Sequence, residues 1–168
     1  MNYLEAVKNK IVTADAASEI INEWRKNKCK VVFTNGCFDL LHLGHVEYLS
    51  RAASSGDYLV IGLNTDSSVQ RIKGKTRPVN DEISRAMVLA SLGFVSLIVM
   101  FSEDTPYELI KTLQPDILVK GADYLAENIV GYDVVMRRGG SVLTIDFVKG
   151  YSSSAIEKKI LNAHLSQM

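Results

Sequence analysis

"VVFTNGCFDLLHLGH", residues 31 to 45, runs from an apolar stretch through a glycine turn into a helix-like segment, with His42 and His45 three positions apart. The opening run has the composition of a strand buried on both faces, as in a parallel sheet covered by helices. Gly36 permits a tight turn there, and Gly44 lets a ligand approach the backbone. The segment that follows, "HVEYLSRAASS", presents free amide hydrogens and the positive end of a helix dipole, so the junction reads as a phosphate seat. Spacing of i, i+3 sets both imidazoles on one side of a helical turn, where both can donate to oxygens of one polyphosphate. Unrelated surface or core histidines would not be expected to coincide with a strand, glycines and a helix start. A zinc reading lacks a third ligand at a recognisable spacing.

Working outward, five apolar runs alternate with helix-like segments: 31 to 35, 58 to 64, 95 to 101, 117 to 120 and 142 to 147. This is the punctuation of βαβ units, and it predicts an α/β fold, Rossmann-like and doubly wound, with a five-stranded parallel sheet and helices on both faces. Helices are expected near 14 to 27, 45 to 54, 131 to 138 and 153 to 165. Thr105, Pro106 and Glu108 read as a capping box opening "TPYELIKTL", which Pro115 prevents from continuing. Asn80 reads as the cap of "DEISRAMVLASLG", with Gly93 as its stop. "KGKTRPVN", 73 to 80, is irregular and is expected to form a loop over the site. Open parallel sheets bind ligands beyond the carboxyl ends of their strands, and the informative stretches do follow the runs: "TDSS", "SEDTP", "GADY" and "KGYSSS".

A length of 168 residues fits one domain, taken as 1 to 168 with 1 to 13 as an N-terminal extension. Nineteen basic residues balance nineteen acidic ones, which argues against a broad electrostatic footprint for nucleic acid or an anionic membrane. No signal-like apolar core or membrane-length run is present, and two cysteines, Cys29 and Cys37, suit free thiols in a reducing compartment. A cytoplasmic protein is expected. Nothing in the sequence argues against a homodimer.

"GCFDLLHLGH" resembles the GxFDxxHxGH signature of the cytidylyltransferase-like nucleotidyltransferases, and "GYSSSAI" resembles their second, ISTT-like signature. The stretch from "GLNTDSSVQRIKGKTRPVN" through "ILVKGADY" and "IVG" is similar to the branch that adenylylates D-glycero-β-D-manno-heptose 1-phosphate for lipopolysaccharide core synthesis. The resemblance covers residues from about 14 to 160. In many bacteria such a domain lies behind a ribokinase-like sugar kinase, for which 168 residues leave no room, so a stand-alone form is expected. The implied partners are ATP and heptose 1-phosphate, and the implied products ADP-heptose and pyrophosphate. The implied cofactor is Mg2+, carried mainly by phosphate oxygens and water. A sugar phosphate oxygen is already anionic, so the reaction needs alignment and charge stabilisation instead of a covalent intermediate or a base.

By the same resemblance, His42 and His45 contact the ATP phosphates, while Lys73 and Arg77 supply cations closing over them. Lys75 is read as a solvated charge. Lys120, a cation ending a buried strand, is expected to face the binding edge of the sheet and to join His42, His45 and Lys73 as a catalytic group. Nucleotide contacts are expected at Thr34, Asn35, Gly36, Cys37, Phe38, Gly44, Gly121 and Asp123, with an Asx turn as the competing account of Asp123. Ser152, Ser153 and Ser154 either grip phosphate or simply cap a helix. Serine stands where the family more often shows threonine. Asn64 and Asp66 are read as contacts to ribose or sugar hydroxyls, with helix capping equally available to Asp66. Cys37 is given a backbone role, not that of a nucleophile. Trp24 is expected to pack a helix on the sheet and His164 to be solvated. No protein-held metal is expected. A sibling cytidylyltransferase using CTP and a noncatalytic nucleotide sensor are the alternatives; a dehydrogenase would need GxGxxG after the first strand.

Overall fold

The computed structural model of the chain describes residues 2–122, 125–146 and 148–165. Asp123 lies outside them, as does the side chain of His164. Six parallel strands, β1 (Ile11–Val12), β2 (Val31–Gly36), β3 (Tyr58–Asn64), β4 (Leu97–Phe101), β5 (Ile117–Gly121) and β6 (Ser141–Ile145), form one sheet in the order β1-β4-β3-β2-β5-β6. The added strand is β1, inside the segment read as an extension. At two residues it is too short to leave a periodic signal, and its identity comes from pairing Ile11 with Ile98 and Val12 with Val99.

The helices are α1 (Tyr3–Lys8), α2 (Ala14–Lys26), α3 (Leu43–Ala53), α4 (Asp66–Lys73), α5 (Glu82–Ala90), α6 (Tyr107–Leu113), α7 (Tyr132–Arg137) and α8 (Ser153–Leu165). Side chains of the central strands alternate between two cores. Phe33, Val60 and Val99 face one built with Ala17, Ile21, Leu109 and Val135. Val32, Ile61 and Ile98 face the other, with Leu49, Ala86 and Leu89. Helices therefore cover both faces, and each fully buried Val, Leu, Ile or Phe stabilises the fold by about 1.5–3 kcal/mol. Trp24 packs against the first core and stacks on Tyr58 at 3.9 Å between ring centroids.

Three local expectations need correction. Helix α6 begins at Tyr107 with Pro106 in the capping position and no side-chain cap bond, so the Thr105 capping box does not form. Asp81 caps α5 by accepting from the Ser84 amide at 2.8 Å, because Asn80 is drawn away to bond Asp39. Lys73 ends α4, a short polar helix without an apolar stripe, instead of opening an irregular loop.

Strand order reverses at β2, whose neighbours are β3 and β5. The β2–β3 ladder continues to Gly36 and Leu63, whereas β2–β5 pairing stops at Phe33 and Leu118. Beyond that point the two strands diverge and open a crevice, the place where such sheets bind ligands.

Candidate active site

The site has two parts. The first is the loop from β2 to α3. His42 caps α3 in extended conformation, and its Nδ1 accepts from the His45 amide at 3.4 Å, which puts the proton of the neutral ring on Nε2. The two imidazoles stack, with centroids 3.8 Å apart and 16° between planes. Two charged rings would repel at that distance, and both groups titrate below the usual histidine value. His45 is lowered to about 4 by burial first, then by His42 and Lys73, with the Leu40 backbone opposing. His42 is lowered by burial. Both are therefore neutral at pH 7.

Close packing explains the glycines. A Cβ on Gly36 would meet the Phe38 ring at 2.9 Å, and one on Gly44 would crowd the His42 ring at 3.2 Å and Tyr151 at 3.3 Å. Phe38 adopts φ of 44°, a left-handed backbone rare outside glycine, and sets its ring edge-on to His45 at 5.3 Å. Asp39, buried, accepts from the Val79 and Asn80 amides and pairs with Arg77 at 2.9 Å. Burial alone would push its carboxyl up, yet those hydrogen bonds and the guanidinium hold it below the ordinary range. Burial raises the Cys37 thiol despite the nearby Lys73, Arg85 and Lys120 cations, so it stays protonated and unsuited to attack.

The second part is the crevice, lined by Asn35 and Lys120 from the diverging strands, Asp104 to Pro106 before α6, and Asn128, the last residue of the 3-10 turn Ala126–Asn128, with Ile129 and Val130 after it. It is open to solvent on one side, with a cavity volume of about 210 Å³. The Asn35 side-chain oxygen is buried with no hydrogen-bond partner among the described residues, as is His45 Nδ1. Buried polar atoms of this kind are normally paired, and Asn35 lines the crevice, where a ligand would supply its partner.

Of the residues read from sequence, His42, His45, Phe38, Gly36, Gly44 and Lys73 gather around the loop, while Asn35, Lys120 and Gly121 stand at the crevice edge. Ser152 caps α8 through the Ala155 amide at 3.1 Å, and Ser153 reaches the Leu40 carbonyl at 3.5 Å, which brings the start of α8, with Ser154, against the loop.

Four residues are committed elsewhere. Thr34 is fully buried and bonds the Tyr48 hydroxyl at 2.8 Å; that hydroxyl also donates to the Val119 carbonyl at 3.1 Å, bridging the gap where the β2–β5 ladder ends. Asn64 is buried against Ser68 at 2.9 Å. Asp66 pairs with Arg85 at 2.7 Å, and Thr65 caps α4 in its place. Arg77 is held between Asp39 and Glu157. The sequence reading missed Asp39, Arg85 and Tyr48. A signal existed for Arg85, a charge on the same helical face as Leu89 and the buried alanines of α5.

Residues 33–159 match the cytidylyltransferase-like family. The bifunctional protein HldE of Paramagnetospirillum magneticum is 55% identical over 151 residues, covering 90% of this chain and 31% of that protein. The chain spans about a third of the length of the curated relatives it matches. A lipopolysaccharide core biosynthesis protein from Thermoplasma volcanium is similar in structure, with a TM-score of 0.57 and 29% identity over 74% of this chain and 99% of that one. Pantoate-beta-alanine ligase from Francisella tularensis shares the fold, with a TM-score of 0.61 at 18% identity over 88% of this chain and 75% of that one. With its signature loop, its sheet order and the match over most of its length, the chain belongs to the cytidylyltransferase-like nucleotidyltransferase family.

Proposed function

We propose that the chain is an adenylyltransferase acting on D-glycero-β-D-manno-heptose 1-phosphate in the cytoplasm, on the route to the lipopolysaccharide core. An oxygen of the sugar phosphate attacks the α-phosphorus of ATP in line. The bond from that phosphorus to the bridging oxygen breaks, and pyrophosphate leaves with the electron pair. What supports this most is one observation: two neutral, stacked imidazoles at the start of α3, beside a crevice with an unpaired buried amide oxygen. The similarity to HldE and to a lipopolysaccharide core biosynthesis protein narrows the acceptor.

In this reading the loop seats the triphosphate, and His42 and His45 donate to oxygens that gain charge as the displacement proceeds. Lys73 adds positive potential from the end of α4, and Lys120 does so from the crevice. The crevice takes the nucleoside: Ile129, Val130 and Pro106 give an apolar wall, while Asn35 and Asn128 offer hydrogen bonds. Among the described residues no three metal-type side chains converge, and the nearby Asp39 carboxylate is already engaged. Magnesium fits as an ion carried by the phosphates, whose charge it would neutralise.

The test is to supply ATP, Mg2+ and heptose 1-phosphate, follow pyrophosphate and ADP-heptose, and repeat with CTP. ATP-dependent ADP-heptose formation is expected. Preference for CTP, or nucleotide binding without turnover on this acceptor, would overturn the proposal.

A further inference from the structure

Arg85 is among the largest side chains withdrawn fully from solvent, and a buried guanidinium demands partners for its donors. It has them on three separate segments. Nη1 donates to the Cys37 carbonyl at 2.7 Å, Nε to the Asn80 carbonyl at 3.0 Å, and Nη2 to Asp66 at 2.7 Å. Helix α5 thus grips the phosphate loop, the segment entering α5, and the first turn of α4, whose far end carries Lys73. Asp39 adds a second tie between the phosphate loop and the segment entering α5. It accepts from the Val79 and Asn80 amides, while its own carbonyl accepts from Asn80 Nδ2 at 2.8 Å.

Between these two anchors sits Phe38 in its left-handed backbone, a conformation that persists in a bulky residue only where the surroundings overdetermine it. If burial alone were needed at position 85, an apolar side chain would fill the space without the desolvation cost of a charge. A planar fork directs its donors in fixed, divergent directions, which suits two carbonyls and a carboxylate lying on separate segments.

We propose that Arg85 is a positioning residue: by fixing the Cys37 carbonyl against Asn80 and Asp66 it locks Phe38, whose ring then braces His45 in the phosphate seat. The inference rests on the nucleotidyl-transfer reading for its catalytic sense. Its main test needs no substrate.

The groups that set His45's titration are its burial, with the Phe38 ring edge-on to it, and His42, Lys73 and the Leu40 backbone. The experiment follows the His45 ring protons by NMR across pH in the unliganded protein. Arg85→Lys keeps a positive charge and three N–H donors, but gathers them on one compact ammonium that does not reproduce the spread of the guanidinium fork toward Cys37, Asn80 and Asp66. It is expected to raise the His45 pKa by about one unit or more as water reaches the ring. In the assay kcat should fall about tenfold or more, with a smaller change in the KM for ATP. Leu113→Ala, in the core on the opposite face of the sheet, lowers the melting temperature and should leave the His45 titration in place. A folded Arg85→Lys protein with native His45 titration would overturn the proposal. Should that variant not fold, Asp66→Asn is the milder probe, expected to raise the same pKa by a smaller amount; no change there would also count against it. If the native protein failed to make ADP-heptose, the functional reading would fall while the titration result stood.

Discussion

The two parts of the site are built differently. In the loop from Gly36 to His45, most polar groups are spoken for in advance: Asp39 by two amides and Arg77, the Cys37 carbonyl by Arg85, His42 Nδ1 by the His45 amide, with His45 Nδ1 the exception, buried without a partner among the described residues. In the crevice, the Asn35 side-chain oxygen is buried without a partner among the described residues. The difference follows from the task. A group that stabilises charge developing during reaction gains from being fixed beforehand, since no reorganisation is then needed. A surface that selects a nucleoside gains from polar atoms satisfied only by the right ligand.

The largest effect should come from the fixed part. His42→Ala and His45→Ala are each expected to lower kcat/KM for ATP by about 10²–10³, or about 3–4 kcal/mol of barrier, in steady-state pyrophosphate release; loss of less than threefold would show that the rings are not donors. Asp39→Ala removes the carboxylate from a buried ion pair and frees two amides, so about 3 kcal/mol of stability should be lost in urea denaturation. Asn35→Ala sharpens the contrast. It should leave stability nearly unchanged, because the oxygen it removes is unsatisfied, yet raise the nucleotide KM about five- to tenfold for a lost hydrogen bond of about 1 kcal/mol.

A smaller effect follows from His45 titrating at about 4 in the fold against 6.5 when unperturbed. Between those values the unfolded chain takes up a proton that the folded protein does not, so stability should decline as pH falls through that window and level off below it. His45→Gln should flatten this slope in melts recorded across the window, and an unchanged slope would assign it to other groups.

Much of this was legible in the sequence, and what was not shares a cause. The central strands announce themselves because burial on both faces makes them continuous apolar runs, as at 58 to 64. The loop is legible because glycines, histidines and a helix start are neighbours in the chain. The ion pairs of Arg77 and Asp66 are not legible because they depend on distant partners: Asp39 lies 38 positions from Arg77, and Arg85 lies 19 from Asp66. A carboxylate at a strand end looks alike whether it meets a sugar hydroxyl or a buried arginine. Tyr48 escaped notice for the same reason, since its hydroxyl matters only where two strands diverge. The edge strand β1 and helix α4 are too short or too polar for periodicity to register.

The seat for the triphosphate is tested most directly by adding the nonhydrolysable α,β-methylene analogue of ATP with Mg2+ and following the His42 and His45 ring resonances across pH. Both rings should shift on saturation, and the His45 pKa should rise from about 4 as phosphate oxygens favour its charged form. Saturable binding that leaves both resonances and that pKa where they were would contradict the account.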